Sequence, residues 1–258
     1  MILRPLEPEP AAGESFVEAW PVVEQLQRRR YESCWMITQP SHAALSGEIA
    51  AKLSGAHIPK LDLPIIRAIA LHDAGWGMPD AHAITHSRSR SGGSPQSFLQ
   101  TELAEFLTAW TQSAEIAQKA SATGGYMVSR HFWRLAEHRL AHGDDAAAAR
   151  KKIESFLKAE AARQKKLAAK QNKTAEELEQ LTDLLQLCDL ISLYICSGAQ
   201  QRVRLPECCG VRSRLTVQGS NYRFEPQMVK GGAQFSLAAL RYPATKDESS
   251  REFQVRIE

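Results

Sequence analysis

The chain has 258 residues, of which 43% are apolar, enough for a domain with a sizeable hydrophobic core. Lys and Arg number 32 against 29 Asp and Glu, and the net charge of +3 is too small to indicate a nucleic-acid-binding protein by itself. The first ten residues contain no basic-then-apolar leader, and no stretch approaches the roughly 18 consecutive apolar residues of a membrane span. The five cysteines form no C-x-x-C spacing, which disfavours a thiolate zinc site and a secreted disulfide framework. We therefore expect a cytoplasmic protein with free thiols.

The first part of the chain predicts three helices and a strand after a Pro- and Glu-rich start. A helical pattern covers about residues 14–31, and a short strand pattern covers residues 34–38. Apolar residues at three- and four-residue steps then predict a helix over about 42–54. Pro64 begins the next helical pattern, and we expect Gly75 to end it.

Residues 77–97 are rich in Gly, Pro and Ser, and we predict that they form a loop. We favour a solvated, mobile connection, with a basic lid that covers a site as the alternative. Two helical patterns follow over about 98–121 and 126–142, separated by two adjacent glycines. The segment 146–173 is helical and carries nine Lys or Arg and two Glu. Because its apolar residues keep to one side, the basic side is typical of a solvated helix face, with binding to nucleic acid or an anionic membrane as the alternative interpretation.

A capping box begins the last predicted helix at Thr174, and Asp189 is the polar exception on the apolar side of that helix. Beyond the helix the pattern changes to short strands with Gly, Pro and Asn turns between them. We predict a mainly α protein with an N-terminal segment (1–38) that contains a short strand. A helical domain (39–200) follows, and a β-rich C-terminal appendage (201–258) packs on the same domain. The four strand patterns of the appendage lie at 214–217, 222–224, 234–237 and 253–257.

Four side chains that can bind a metal ion interrupt the apolar helix faces: His42, His72, Asp73 and Asp189. An ionisable group on a buried face is costly unless a partner satisfies it. Imidazole and carboxylate together suit divalent transition metals and leave coordination positions for water and a substrate oxygen. Because neighbouring helix positions point about 100° apart, His72 and Asp73 can converge on one ion only where the helix ends. The pattern indicates one shared catalytic cation; the alternative is four unrelated polar residues, with the histidines bonded to backbone carbonyls in the core.

The order His, then His-Asp, then a distant Asp resembles the HD-domain superfamily of metal-dependent phosphohydrolases. Five stretches are similar, more narrowly, to an uncharacterised bacterial family of HD-like proteins. They are TQPSHA (38–43), HDAGW (72–76), PQSF (95–98), VSRH (128–131) and DLISL (189–193). The likeness covers most of residues 35–200, and we expect it to extend into the tail. It implies an HD-like helical bundle with a small β-rich portion formed by the C-terminal tail, and it leaves open whether the N-terminal strand joins that portion.

The resemblance further implies that His42, His72, Asp73 and Asp189 are the primary ligands of a divalent ion. Mn, Fe, Mg, Ni and Zn are not distinguished by this ligand set. Two-metal members of the superfamily use additional histidines between the His-Asp pair and the last Asp, and His131 is the best candidate here for a second metal. Weaker candidates, two in the predicted loop and two on the polar part of a helix, are His82, His86, His138 and His142.

The resemblance implies a divalent-metal-dependent hydrolase of the HD type that acts on a small phosphorylated compound, a nucleotide among the candidates, through a metal-activated water. We expect Asp73 to orient that water or accept its proton, and Arg130 and His131 to stabilise charge on the phosphoryl group. The alternative for Arg130 is a surface salt bridge, since adjacent helix positions cannot both face inward. Arg88 and Arg90 of the predicted loop are further cationic candidates.

A second interpretation is a non-hydrolytic HD-like metal protein, either a two-metal oxygenase or a degenerate ligand-binding module. The chain contains no G-x-S-x-G elbow, no Walker-type phosphate loop and no G-x-G-x-x-G fingerprint, so serine hydrolases, P-loop enzymes and dinucleotide-binding enzymes have no local support. The expected partner is a small phosphorylated substrate. We expect neither nucleic acid nor a membrane as a partner, and the sequence leaves the formation of a homo-oligomer open.

Overall fold

The computed structural model of the protein describes residues 1–8, 13–55, 57–89, 93–229 and 231–258. The helices of these residues are α1 (Ala19–Gln27), α2 (Gln39–Lys52), α3 (Leu63–Ala70), α4 (Gly77–Ser87), α5 (Leu103–Ala120), α6 (Ala122–His142), α7 (Ala147–Ala168) and α8 (Ala175–Cys196), with 3-10 turns at Ala74–Trp76 and Phe98–Gln100. The strands are β1 (Ile2–Pro5), β2 (Val17–Glu18), β3 (Cys34–Ile37), β4 (Val203–Arg204), β5 (Arg214–Gln218), β6 (Asn221–Glu225), β7 (Ala233–Tyr242) and β8 (Ser250–Ile257).

All strands of the described residues belong to one mixed sheet, in the order β1-β3-β7-β8-β6-β5-β4-β2. β1 pairs with β3, and β3 pairs with β7 so that Met36 lies beside Leu240. At the other edge, β2 lies parallel to β4 through Val17 and Val203. The longest pair is β7 with β8, and β6 lies parallel to β8. Both ends of the chain therefore contribute strands to the same sheet.

This sheet corrects the predicted fold class. A mainly α, HD-like bundle with a small β-rich portion is wrong, because the described residues form eight strands in one mixed sheet beside the helices. The strand patterns of the tail are each found as strands, β5 to β8. Local patterns do not contain the pairing between segments far apart in the chain, and it is this pairing that joins β1, β2 and β3 to the C-terminal strands.

The last helix, α8, forms the centre of the helical layer. Thirteen of its 22 residues are buried, and it packs against α1, α2, α3, α6 and β1. A helix that is apolar on most sides is one that neighbours cover on most sides. Its start carries the predicted capping box, in which Thr174 N–H donates to Glu177 Oε2 and Glu177 N–H donates to Thr174 Oγ1. A polar residue on α8 is therefore placed among other helices rather than in solvent.

The structure differs from the predictions at α4 and at the break between α5 and α6. Helix α4 occupies Gly77–Ser87, where we predicted a loop. Pro79 lies in the first turn of this helix, where a missing N–H costs little. The break between α5 and α6 falls at Ser121, whose hydroxyl accepts from Gly124 N–H at 2.9 Å, rather than at the glycine pair. A Cβ on Gly124 would lie 2.8 Å from Ala68 Cβ, so this glycine allows α6 to approach α3 closely.

No helix of the described residues is both long enough and apolar enough to span a membrane.

Candidate metal centre

The side chains of His42, His72, Asp73, His131 and Asp189 meet at one point between α2, α6, α8 and the turn that follows α3. His42 and His72 are fully buried, His131 is 2% exposed, and Asp189 is 14% exposed. These histidines and carboxylates come from segments that are far apart in the chain. The structure thus brings the four predicted ligands together with the candidate for a second metal.

Local structure explains the position of His42. The Thr38 hydroxyl accepts a hydrogen bond from Ser41 N–H at 3.2 Å and caps α2, and Pro40 lies in the first turn. The helix therefore begins at Gln39, three residues before the predicted start. His42 lies in the first turn and faces the apolar side of the helix.

The turn that carries His72 and Asp73 is held by a close approach to α5. Helix α3 ends at Ala70, before the predicted end at Gly75. A Cβ on Gly75 would lie 2.1 Å from Ala109 O, and Gly75 N–H donates to Ser113 Oγ at 2.9 Å. The backbone has already left the helix at His72 and Asp73, which allows both side chains to point toward the same place.

The ring of His72 has a defined tautomer when it is neutral. Its Nδ1 lies 2.7 Å from the carbonyl oxygen of Ile69, which can only accept, so Nδ1–H is the donor. The lone pair on Nε2 then faces Asp189 Oδ1 at 3.2 Å. Two acceptors at this distance repel each other unless a proton or a metal cation lies between them. A backbone carbonyl that fixes one ring nitrogen in this way is a usual partner of a metal-binding histidine.

His42 and Asp73 form the other side of the cluster. His42 Nε2 lies 2.8 Å from Asp73 Oδ2, which is itself 3.8 Å from His72 Nε2. The second oxygen of Asp73, Oδ1, is buried and has no hydrogen-bond partner among the described residues. A buried carboxylate oxygen without a donor is costly. A cation beside Asp73 would satisfy it.

Three of the predicted ligands can hold a metal ion together. His42, His72 and Asp189 each offer one ligand atom, and these atoms all lie within 4.8 Å of one another. Asp73 falls outside this group of three and adjoins it through its contacts with the two histidines. Two imidazoles and two carboxylates suit a divalent transition metal. The donor set does not identify the metal.

The ionisation of the cluster follows from its burial and its charges. Burial lowers the pKa of His72, but the carboxylates of Asp73 and Asp189 more than offset this and raise it to about 9. Burial raises the pKa of Asp189, and the hydrogen bond and positive charge of His72 outweigh that effect and hold it at about 2. For His131, burial dominates and lowers the pKa to about 4. His131 is therefore neutral at pH 7.

His131 adjoins the cluster without forming a hydrogen bond to it. Its Nε2 lies 3.7 Å from Asp189 Oδ2, and its ring meets that of His72 edge-on with 5.7 Å between centroids. Its Nδ1 is buried and has no partner among the described residues. A neutral imidazole with an unpaired nitrogen can act as a ligand, a hydrogen-bond donor or a base.

The structure places Arg130 in an ion pair. Its guanidinium donates to both oxygens of Glu179, at 2.9 Å and 3.3 Å from Nε, and lies over the ring of Trp133. This is the salt-bridge alternative considered for this residue. Arg88 is exposed at the end of α4. Arg90, the other cation of the predicted loop, lies outside the described residues.

The four histidines regarded as weaker candidates are exposed and do not join the cluster. His82 and His86 lie on α4. His138 and His142 lie on the last turns of α6, where their rings stack with 4.4 Å between centroids. The cluster of the described residues that meets the distance condition for a metal ion contains none of the four.

Sequence reasoning missed the serines that support the cluster. Ser192 Oγ lies 2.9 Å from His42 Nδ1 and 2.7 Å from Ser46 Oγ. Ser46 follows His42 by four residues, and Ser192 follows Asp189 by three, so each lies on the same helix face as a ligand. That spacing was the available signal, and it is weak because small polar residues are common on helices.

Comparison with known proteins identifies a family for the chain. The model of a family described as "Protein of unknown function (DUF3891)" matches residues 26–231, which include every member of the cluster. No curated protein and no solved structure matches the chain. The match spans most of the chain, from the end of α1 to the turn before β7. The chain belongs to this DUF3891 family.

Proposed function

We propose that this protein is a divalent-metal-dependent hydrolase that acts on a small phosphorylated compound, with a nucleotide among the candidates. The observation that supports the proposal most directly is that His42, His72 and Asp189 each offer a ligand atom within 4.8 Å of the other two. Because His72 Nδ1 is committed to a backbone carbonyl, Nε2 is the atom that this residue offers. His42 and Asp73 complete a ligand set in the order that resembles the HD superfamily. Because the protein contains a mixed sheet, its fold differs from a helical HD bundle. The resemblance to the HD superfamily is therefore in the order of the predicted ligands.

In this proposal His42, His72, Asp73 and Asp189 hold the ion. A divalent ion in such a site supplies Lewis acidity and lowers the pKa of a water molecule that it binds. The carboxylate of Asp73 has one oxygen against His42 and one without a partner, so the second oxygen can orient a water or accept its proton. The partial exposure of Asp189 gives the cluster access to solvent and substrate.

His131 lies close enough to Asp189 to act as a further functional residue of the same centre. Neutral at pH 7 and buried beside Asp189, it can donate a hydrogen bond to a phosphoryl oxygen or coordinate a second ion. The second function, a non-hydrolytic HD-like protein with two metals, draws its support from the position of His131, whose Nε2 lies 3.7 Å from Asp189 Oδ2. The two functions differ in metal stoichiometry. The cytoplasmic location expected from the sequence is part of the proposal for either function.

The experiment is metal analysis followed by activity assays on protein purified without a nickel-affinity step. The hydrolase predicts one divalent ion per chain and release of phosphate from members of a panel of nucleotides and phosphomonoesters. The Asp189→Asn variant should lose both the bound ion and the release of phosphate. Asp183→Asn is the matched control, because Asp183 lies on the same helix and pairs with Arg134 at 2.7 Å, outside the cluster.

Two results would contradict the hydrolase. Two irons per chain with oxygen consumption would favour the non-hydrolytic function. Metal binding without turnover of any panel member, with each candidate metal supplied, would leave a ligand-binding module.

A further inference from the structure

The hydroxyl of Ser192 joins the two helices that carry His42 and Asp189. Its oxygen lies 2.9 Å from His42 Nδ1, 2.7 Å from Ser46 Oγ and 2.8 Å from the carbonyl oxygen of Asp189. Ser46 Oγ also lies 3.1 Å from the carbonyl oxygen of His42. Both serines are fully buried.

Counting protons defines what this arrangement allows. A carbonyl oxygen only accepts, so the Ser192 proton can go to Asp189 O, and the Ser46 proton can go to Ser192 Oγ. Ser192 Oγ then still has a lone pair for His42 Nδ1–H. With the ring proton on Nδ1, Nε2 presents its lone pair toward Asp73. In that state the Nε2 lone pair and Asp73 Oδ2 are two acceptors 2.8 Å apart, and a cation bound to both satisfies them.

The opposite tautomer is also compatible with the distances. If Ser192 donates to His42 Nδ1, the ring proton moves to Nε2 and points at Asp73 Oδ2. In this state Nε2 cannot bind a metal ion. The direction of a single hydroxyl proton therefore determines whether His42 is a ligand.

We propose that Ser192, supported by Ser46, is the positioning residue that holds His42 in its metal-binding tautomer. The inference rests on the proposed metal-dependent function. Ser192 and Ser46 then have a role beyond packing. Because the Asp189 carbonyl oxygen accepts the Ser192 proton, that proton is not donated to the imidazole of His42. Ser46 acts through Ser192 by donating its own proton, so its contribution is secondary.

The test measures metal affinity in Ser192→Ala, Ser46→Ala and the double variant. Loss of the hydroxyl partner of a metal-binding histidine should weaken Zn2+ or Co2+ binding by about 10- to 100-fold. We expect this for Ser192→Ala, a smaller loss for Ser46→Ala, and no further loss when Ser46→Ala is added to Ser192→Ala. The visible absorption of bound Co2+ should also change in Ser192→Ala.

Ser129→Ala is the matched control. Ser129 is fully buried in α6, and its hydroxyl bonds to Gln164 and the Glu160 carbonyl, away from the cluster. We expect Ser129→Ala to lose about as much thermal stability as Ser192→Ala and to keep the metal affinity of the unmodified protein. If Ser192→Ala binds metal within twofold of the control, the positioning role is wrong and the proposed function still stands. If the unmodified protein binds no divalent metal at all, the proposed function fails, and the positioning role fails with it.

Discussion

The proton on His72 links the charge of the cluster to the binding of a cation. Asp73 and Asp189 raise the pKa of His72 to about 9 despite its burial, so the ring is protonated at pH 7 in metal-free protein. That proton occupies the same lone pair, on Nε2, that a metal ion needs. The proton and the metal are therefore alternative occupants of one position.

We predict that metal binding at pH 7 releases one proton from His72. The apparent affinity should rise about tenfold per pH unit between pH 7 and 9 and level off above pH 9, because a single proton is displaced below the pKa of about 9. Calorimetric Zn2+ titrations in two buffers of different ionisation enthalpy measure the number of protons released.

The control for this prediction is His131→Ala. His131 has a pKa of about 4 and is uncharged at pH 7, so its removal should leave the number of protons released on metal binding unchanged. Binding without proton release in the unmodified protein would mean that His72 is neutral before the metal arrives, in conflict with the prediction.

A second residue-scale prediction concerns Arg130. Because Glu179 and Trp133 hold its guanidinium, we expect Arg130→Gln to change kcat/KM for a phosphorylated substrate by less than about threefold and to leave metal affinity unchanged. Removal of a cation that contacts the phosphoryl group would instead lower kcat, and steady-state kinetics distinguish the two. A loss of 100-fold or more would restore the catalytic role considered from the sequence.

At the scale of elements, the sequence predicted the start of α8 because the capping box of Thr174 with Glu177 is a local signal that the structure contains. The start of α2 was predicted three residues late, because Thr38, which caps it, and Pro40 were not interpreted as its start. The ends were less accurate. Gly75 was read as a helix stop, but its role is to let the turn approach α5, and no local pattern contains the position of Ala109.

The comparison of Gly75→Ala with Gly77→Ala tests this role. A methyl group at Gly75 would meet backbone atoms of α5 at 2.1 Å and 2.7 Å, which cannot move aside cheaply. We expect a loss of about 1–3 kcal/mol in the free energy of unfolding, with weaker metal binding because the same turn carries His72 and Asp73.

Gly77→Ala should behave differently although it is only two residues away. A Cβ there has nothing within 4 Å, and Gly77 lies at the start of α4, where Ala is the better helix former. We expect stability equal to or up to about 1 kcal/mol above that of the unmodified protein. Urea denaturation of both variants measures the difference, and equal losses in the two would argue against the close approach.

At the scale of the whole molecule, the sequence predicted which residues meet in the cluster more successfully than it predicted the fold. His42, His72, Asp73 and Asp189 were recognisable because each is a polar residue in an apolar pattern, and that exception is visible in the sequence. The sheet was not recognisable as a unit, because the pairing of Met36 with Leu240 leaves no local trace. A buried face must pack against another element, but a single sequence does not show which strand or helix that element is.

The same long-range pairing leads to a prediction about the helical segment 39–200 expressed alone. In the full chain α2 packs on β7, and α8 packs on β1. A fragment without the sheet would expose the buried sides of both helices, including Ile49 and Ile195, and would lose the hydrogen bond from Arg4 to Ile195 O. We expect the full chain to unfold in one cooperative transition and the fragment to show no cooperative transition and no stoichiometric metal binding. Far-UV and near-UV circular dichroism during urea denaturation measure both. A fragment that unfolds cooperatively and binds one metal ion would mean that the cluster does not depend on the strands from the two ends of the chain.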